Sequence, residues 1–138
     1  MFKFDSDLTK LLNKYVNSYH VYGQNDCNIL VADYIDMVCN TDYKSKLQNQ
    51  YTTPKEGLEI CEKLTGFNNV LEACEKHLEQ SDTIENGSVL LIKKTLGKKT
   101  YYVSTIVFRN KALTEYENKY VLTSVKDFDY ELIFNRRK

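Results

Sequence analysis

The sequence predicts an α+β domain, helices first and an antiparallel sheet of about five strands second. Apolar residues recur at helical spacing through roughly the first two-thirds of the chain, and after Asn86-Gly87 the texture changes to runs of β-branched and aromatic residues. The single Pro and several of the five Gly fall where these segments begin or end. At 138 residues, 42% of them hydrophobic, the chain is expected to form one domain over residues 1–138, mainly helical over 1–85 and mainly strand over 86–138. No run approaches the length of a membrane span, and Met1-Phe2-Lys3-Phe4-Asp5 lacks the apolar core of a signal peptide.

Leu8, Leu11, Leu12, Tyr15, Val16 and Tyr19 lie on one face of a helix over residues 6–20, with Asp5 or Ser6 as its cap and Gly23 as its break. Cys27, Leu30, Val31, Tyr34, Ile35 and Val38 repeat that spacing, and Asn25 or Asp26 is the natural cap, which puts Cys27 in the first turn. A polar stretch runs from Asn40 to Thr53. Pro54 then opens a third helix carrying Leu58, Ile60, Cys61 and Leu64, closed by Gly66. A fourth helix is expected from about Asn68 to Gln80, burying Val70, Leu71, Cys74 and Leu78. Strands follow at Ser88–Lys93, Thr100–Arg109, Ala112–Tyr116, Lys119–Val125 and Tyr130–Asn135, with turns at Leu96-Gly97-Lys98 and Asn110-Lys111.

The net charge is zero but unevenly placed. Residues 1–90 carry eight Lys against fourteen Asp/Glu, and residues 91–138 carry eleven Lys/Arg against five. Such a chain suits docking on further copies of itself or on neighbouring subunits, as well as a plain solvated surface. No dense Lys/Arg run with interleaved aromatics points to nucleic acid. Cys27, Cys39, Cys61 and Cys74 form no Cys-x-x-Cys pair and have no His at zinc-ligand spacing, so neither a metal nor another cofactor is expected. All four fall on expected helices, where a reduced Cys behaves as a small hydrophobe.

Cys27 is the most informative position. A thiol at a helix N-terminus feels unpaired amides and the positive end of the macrodipole, both of which favour thiolate, although the same spacing also fits a packed core Cys. The run Tyr22-Gly23-Gln24-Asn25-Asp26-Cys27-Asn28-Ile29-Leu30-Val31-Ala32-Asp33-Tyr34 resembles the Gly-x-x-Asp-Cys-x-x-x-x-x-Asp block of a family encoded among bacteriophage tail genes. That family is itself similar to the NlpC-like, papain-fold cysteine peptidases of cell-wall metabolism. Leu47-Gln48-Asn49-Gln50-Tyr51 resembles its Leu-x-x-x-Tyr block, and Asn86-Gly87-Ser88-Val89-Leu90-Leu91 its Gly-Asp-Val strand, with Ser88 in place of the usual Asp.

The resemblance implies a Cys nucleophile, a His base on the sheet and a third polar residue orienting that His. Cys27 matches the first role. The base would fall near Tyr102 and the orienting residue near Thr114, but no His follows His77. Without a base a Cys is only a few per cent thiolate at neutral pH, and the leaving amine lacks a proton donor. His20, across the Gly23 bend, is the replacement base if the chain folds back; otherwise it is a boundary His at a helix end. His77 is expected on a solvated face, Asp26 as a cap, Asp33 as a helix-surface charge, and Tyr19, Tyr22, Tyr101 and Tyr102 as packing residues or as a groove for glycan or peptide.

The reading that follows is a non-catalytic papain-like domain, a structural or assembly component of a phage tail tip or baseplate. It would be made in the bacterial cytoplasm and carried in the virion, docked on other tail proteins or on copies of itself. The alternative is an active cysteine peptidase or amidase acting on peptidoglycan during entry, with Cys27 as nucleophile and His20 or a partner's residue as base; a small peptide- or glycan-binding module is the third.

Overall fold

The structure, a computed structural model, describes residues 2–137, with the side chains of Phe2, Leu96 and Lys99 set aside. The order of elements is α1 (Phe2–Asn13), α2 (Cys27–Cys39), α3 (Tyr43–Leu47), α4 (Pro54–Thr65), α5 (Val70–His77), β1 (Leu78–Ser81), β2 (Val89–Leu96), β3 (Lys99–Phe108), β4 (Lys111–Tyr116), β5 (Lys119–Ser124), a 3₁₀ turn (Val125–Asp127) and β6 (Leu132–Arg136). Helices come first and an antiparallel sheet follows, in the strand order β1-β6-β2-β3-β4-β5.

The sheet has six strands rather than about five. The extra one is β1, whose residues continue the spacing of α5: Leu78 stands four residues after Cys74 and is just as buried. The chain leaves the helix because Leu78–Ser81 pair antiparallel with β6, from Leu78 opposite Arg136 to Ser81 opposite Ile133. The fourth helix therefore ends at His77 and not near Gln80. The polar stretch after Asn40 also holds the short α3, whose free amides at Tyr43 and Lys44 are taken by the Asp36 carboxylate of α2.

α1 starts at Phe2 and ends at Asn13, so it is shifted towards the N-terminus from the expected 6–20 and is not capped by Asp5 or Ser6. Leu8, Leu11, Leu12 and Tyr15 are buried as their spacing requires. Beyond them Asn17 turns left-handed (φ 66°), and residues 17–20 become extended and pair with the start of β5. That pairing consists of Asn17 N–H to Tyr120 O (2.8 Å), Tyr120 N–H to Ser18 O (3.0 Å) and His20 N–H to Asn118 O (2.8 Å). Tyr19 accordingly faces solvent.

α2 is the central helix. Leu30, Val31, Tyr34 and Ile35 join α1, α5 and the sheet in the main core, while Ile29 and Ala32 pack into a second cluster with Leu47 and Tyr51. It thus buries more than the single stripe its spacing suggests, because it is covered from two sides. α4 begins as expected, with Thr53 capping Glu56 N–H and Pro54 in the first turn, and it ends at Gly66 (φ 84°). Ser88 is fully buried: it accepts from Glu85 N–H and donates to Asn135 Oδ1, a polar tie between β6 and the segment leading into β2. All four cysteines are free. Among the described residues no helix is long and apolar enough to cross a membrane.

Candidate functional site

A cleft of about 210 Å³ lies between the helical layer and the sheet. One wall comes from the start of α2, from α4 and from the loop before α5; the other comes from Tyr101–Ser104 of β3 and Leu113–Glu115 of β4. β3 and β4 are paired through Val107–Ala112 and Phe108–Lys111. The cleft opens against the stretch of these strands beyond that pairing.

Cys27 is the first residue of α2 and lines this cleft. Its position is fixed from both sides. Asp26, the cap, accepts from Asn28 N–H and Ile29 N–H through Oδ1. Its Oδ2 accepts from Gly23 N–H at 2.8 Å and from the Tyr51 hydroxyl at 2.5 Å. Across the cleft Ser104 Oγ donates to Cys27 O at 3.1 Å, which ties α2 to β3. Gly23 has to be glycine for this turn: its φ is +82°, and a Cβ there would lie 1.8 Å from Tyr51 O.

The electrostatics reverse the expectation that the helix start activates the thiol. The amides that would favour thiolate already serve Asp26, whose buried carboxylate stands beside the sulfur. Burial first, and the Asp26 charge second, push the Cys27 thiol up to about 11; hydrogen bonds from Ser104 oppose them without prevailing. Cys27 is therefore a neutral thiol at physiological pH. Burial and the same carboxylate also hold the Tyr51 phenol well above its ordinary range.

Tyr102 lines the cleft on β3, opposite Lys93 of β2, and is half-buried. Thr114 lines it as well, but its hydroxyl is bonded to Thr123 Oγ1 at 2.6 Å and orients nothing in the cleft. His20 does fold back. The pairing of residues 17–20 with β5 carries its ring into the same cleft, where the side chain is only 9% exposed and Nδ1 lies 3.8 Å from Glu115 Oε2. Tyr22 and Tyr120 hold the ring edge to face, at centroid distances of 4.7 and 5.6 Å. Among the described residues no hydrogen bond joins His20 to the Cys27 thiol. The Tyr120 hydroxyl is itself engaged with Asn25 O at 2.8 Å.

The structure thus gathers Cys27, Tyr102, Thr114 and His20 around one space, joined by Tyr22 and Tyr101, while Tyr19 stays outside it. Ser104 and Glu115 were not singled out from the sequence. Ser104 was within reach, since it lies two residues from Tyr102 and so on the same face of a strand. Glu115 carried no signal until the position of His20 was known. His77 is not on a solvated face: it is half-buried, bonded to the Tyr43 hydroxyl at 2.8 Å and packed against Phe67. Asp33 is likewise more than a surface charge, for it accepts from Lys14 Nζ and the Tyr15 hydroxyl, each at 2.9 Å, and from Lys44 Nζ at 3.3 Å. Among the described residues no group of three or more His, Cys, Asp or Glu side chains is placed to hold a metal ion.

The fold and cleft define an α+β domain with a protonated cysteine at the mouth of its central helix, facing a tyrosine-rich sheet wall. The family model for a domain of unknown function, DUF6950, matches residues 2–128, and the chain belongs to that family. No curated protein and no solved structure matches it.

Proposed function

We propose that the chain is a papain-like, NlpC-like domain that retains the peptidase cleft without its thiolate chemistry, and that it serves as a structural or assembly component of a phage tail tip or baseplate. The observation that carries the loss of catalysis is the site itself. Cys27 starts α2 and faces β3, but tyrosine stands where the resemblance calls for the sheet histidine, and the Thr114 hydroxyl is tied to Thr123. A neutral thiol without an adjoining base forfeits both the nucleophile and the proton donor for the leaving amine. The tail setting rests on the resemblance of Tyr22–Tyr34 and of the Tyr51 and Val89 blocks. An uneven charge along the chain suits repeated docking between subunits.

The test is a cell-wall zymogram with wild type and Cys27→Ala. Neither is expected to clear, and clearing that needs Cys27 overturns the proposal. For the setting, the protein is sought in purified virions by mass spectrometry; a chain that stays monomeric and is missing from virions refutes the assembly role.

One observation favours a second reading, an active hydrolase acting on peptidoglycan. His20 and Glu115 stand together in the cleft of Cys27, an imidazole with a carboxylate to orient it. On that reading His20→Asn abolishes any clearing that Cys27 supports.

A further inference from the structure

A second concavity, of about 490 Å³ and well removed from the cleft, lies among the start of α1, the C-terminal ends of α2 and α5, and β6. Its charged lining is one-sided. Among the described residues, Lys3, Lys76, Arg136 and Arg137 are opposed in that lining by Asp7 alone, and Asp7 is already engaged by Lys3 at 3.1 Å.

Scattered surface lysines carry little meaning, but here the fold has fixed both guanidinium groups. Arg136 lies with its guanidinium carbon 3.8 Å from the Phe4 ring centroid, a cation–π seat that limits its freedom. Its Nε is buried without a hydrogen-bond partner among the described residues. Arg137 is anchored by Nε to Leu78 O and by Nη2 to Glu75 O, both at 3.2 Å. Those contacts, together with Cys39 Sγ at 3.6 Å from His77 O, satisfy carbonyls at the end of α5 that would otherwise make the site negative. His77 registers the cationic surplus: burial first, then the charges of Lys76 and Arg137, lower its pKa, against the opposing charge of Asp36.

Two anchored guanidinium groups and two ammonium groups around one concavity match a group with several oxygens and more than one negative charge better than a single carboxylate. We infer that this concavity binds a phosphate group through Arg136, Arg137, Lys76 and Lys3. Free polyphosphate and a phospholipid headgroup present the same chemistry, and the experiment separates them.

The full chain is titrated with inorganic pyrophosphate by calorimetry at low and at physiological ionic strength. Saturable binding that weakens with salt is expected. Lys76→Gln and Arg137→Gln each weaken it about tenfold, while Lys55→Gln on the distant α4 leaves it unchanged. Because Arg137 also ties the end of α5, Lys3→Gln serves as the variant without a folding role, its side chain being 87% exposed, and it too weakens binding. Co-sedimentation with phosphatidylcholine vesicles that contain phosphatidic acid, but not with phosphatidylcholine alone, assigns the phosphate to a headgroup. Pyrophosphate binding without co-sedimentation assigns it to a free ligand. Neither kind of binding, or binding equally tight in the Lys3, Lys76 and Arg137 variants, overturns the inference.

Discussion

A thiol pushed up to about 11 makes a quantitative prediction for alkylation of Cys27. At pH 7 such a thiol is about one part in 10⁴ thiolate, against a few per cent for an ordinary cysteine, so iodoacetamide should modify it at least about a hundred times more slowly than a cysteine peptide. The rate should rise about tenfold per pH unit from 7 to 10, with no plateau in between. Two substitutions move it in opposite directions. Ser104→Ala removes a hydroxyl that, besides bonding Cys27 O, lowers the pKa of the thiol, and so slows the reaction, whereas Asp26→Asn keeps a capping oxygen, removes the negative charge beside the sulfur and accelerates it. The assay is peptide mass spectrometry on the Cys27 fragment with timed quenching, which separates it from Cys39, Cys61 and Cys74, and thermal melts confirm that each variant is folded. A rate above that of the free peptide, levelling off between pH 6 and 8, would show an activated thiol and refute the account of the site.

Other outcomes follow from the same contacts. Gly23→Ala, which sets a methyl group against Tyr51 O at a left-handed φ, should cost more than about 2 kcal/mol in urea unfolding; a loss under half of that contradicts the packing. Tyr51→Phe leaves the buried Asp26 carboxylate short of a donor and should cost about 1–3 kcal/mol, read from the same transitions. Burial would raise the Asp33 carboxyl, but the hydrogen bonds of Lys14 and Tyr15 and the charges of Lys14 and Lys44 outweigh it and hold it below its ordinary value. Its folded pKa is thus depressed, so its stabilisation is present above the ordinary carboxylate pKa and is lost as pH falls through the folded one. Asp33→Asn should flatten the stability profile below about pH 4, and an unchanged acid limb counts against this pairing.

The order of elements was legible because both periodicities are strong: α2 and α4 start and β2 to β6 fall close to where spacing and turn residues place them. What escaped was decided by partners distant in sequence. Leu78 satisfies a helical stripe and a strand equally, and only pairing with β6 selects the strand. Tyr15 and Val16 prolong the pattern of α1, while the backbone after Asn17 is claimed by β5. The position of Cys27 was readable, but its chemistry was not, since a cap that helps the helix start is also the charge that keeps the thiol protonated. His20 shows the same limit, because nothing local to it says that the chain will pair with the start of β5 and bring the ring beside Glu115.

The pairing of residues 17–20 with β5 also bears on how copies of the chain can meet. That pairing covers the sheet margin only at the start of β5, so among the described residues the rest of β5 and the four residues of β1 stand at the two outer edges. Strand addition of β1 to β1 about a twofold axis stops at a pair, whereas β1 added to the open part of β5 leaves a further edge on each molecule. The short strap over the start of β5 thus decides whether the sheet can be extended at one margin or at both.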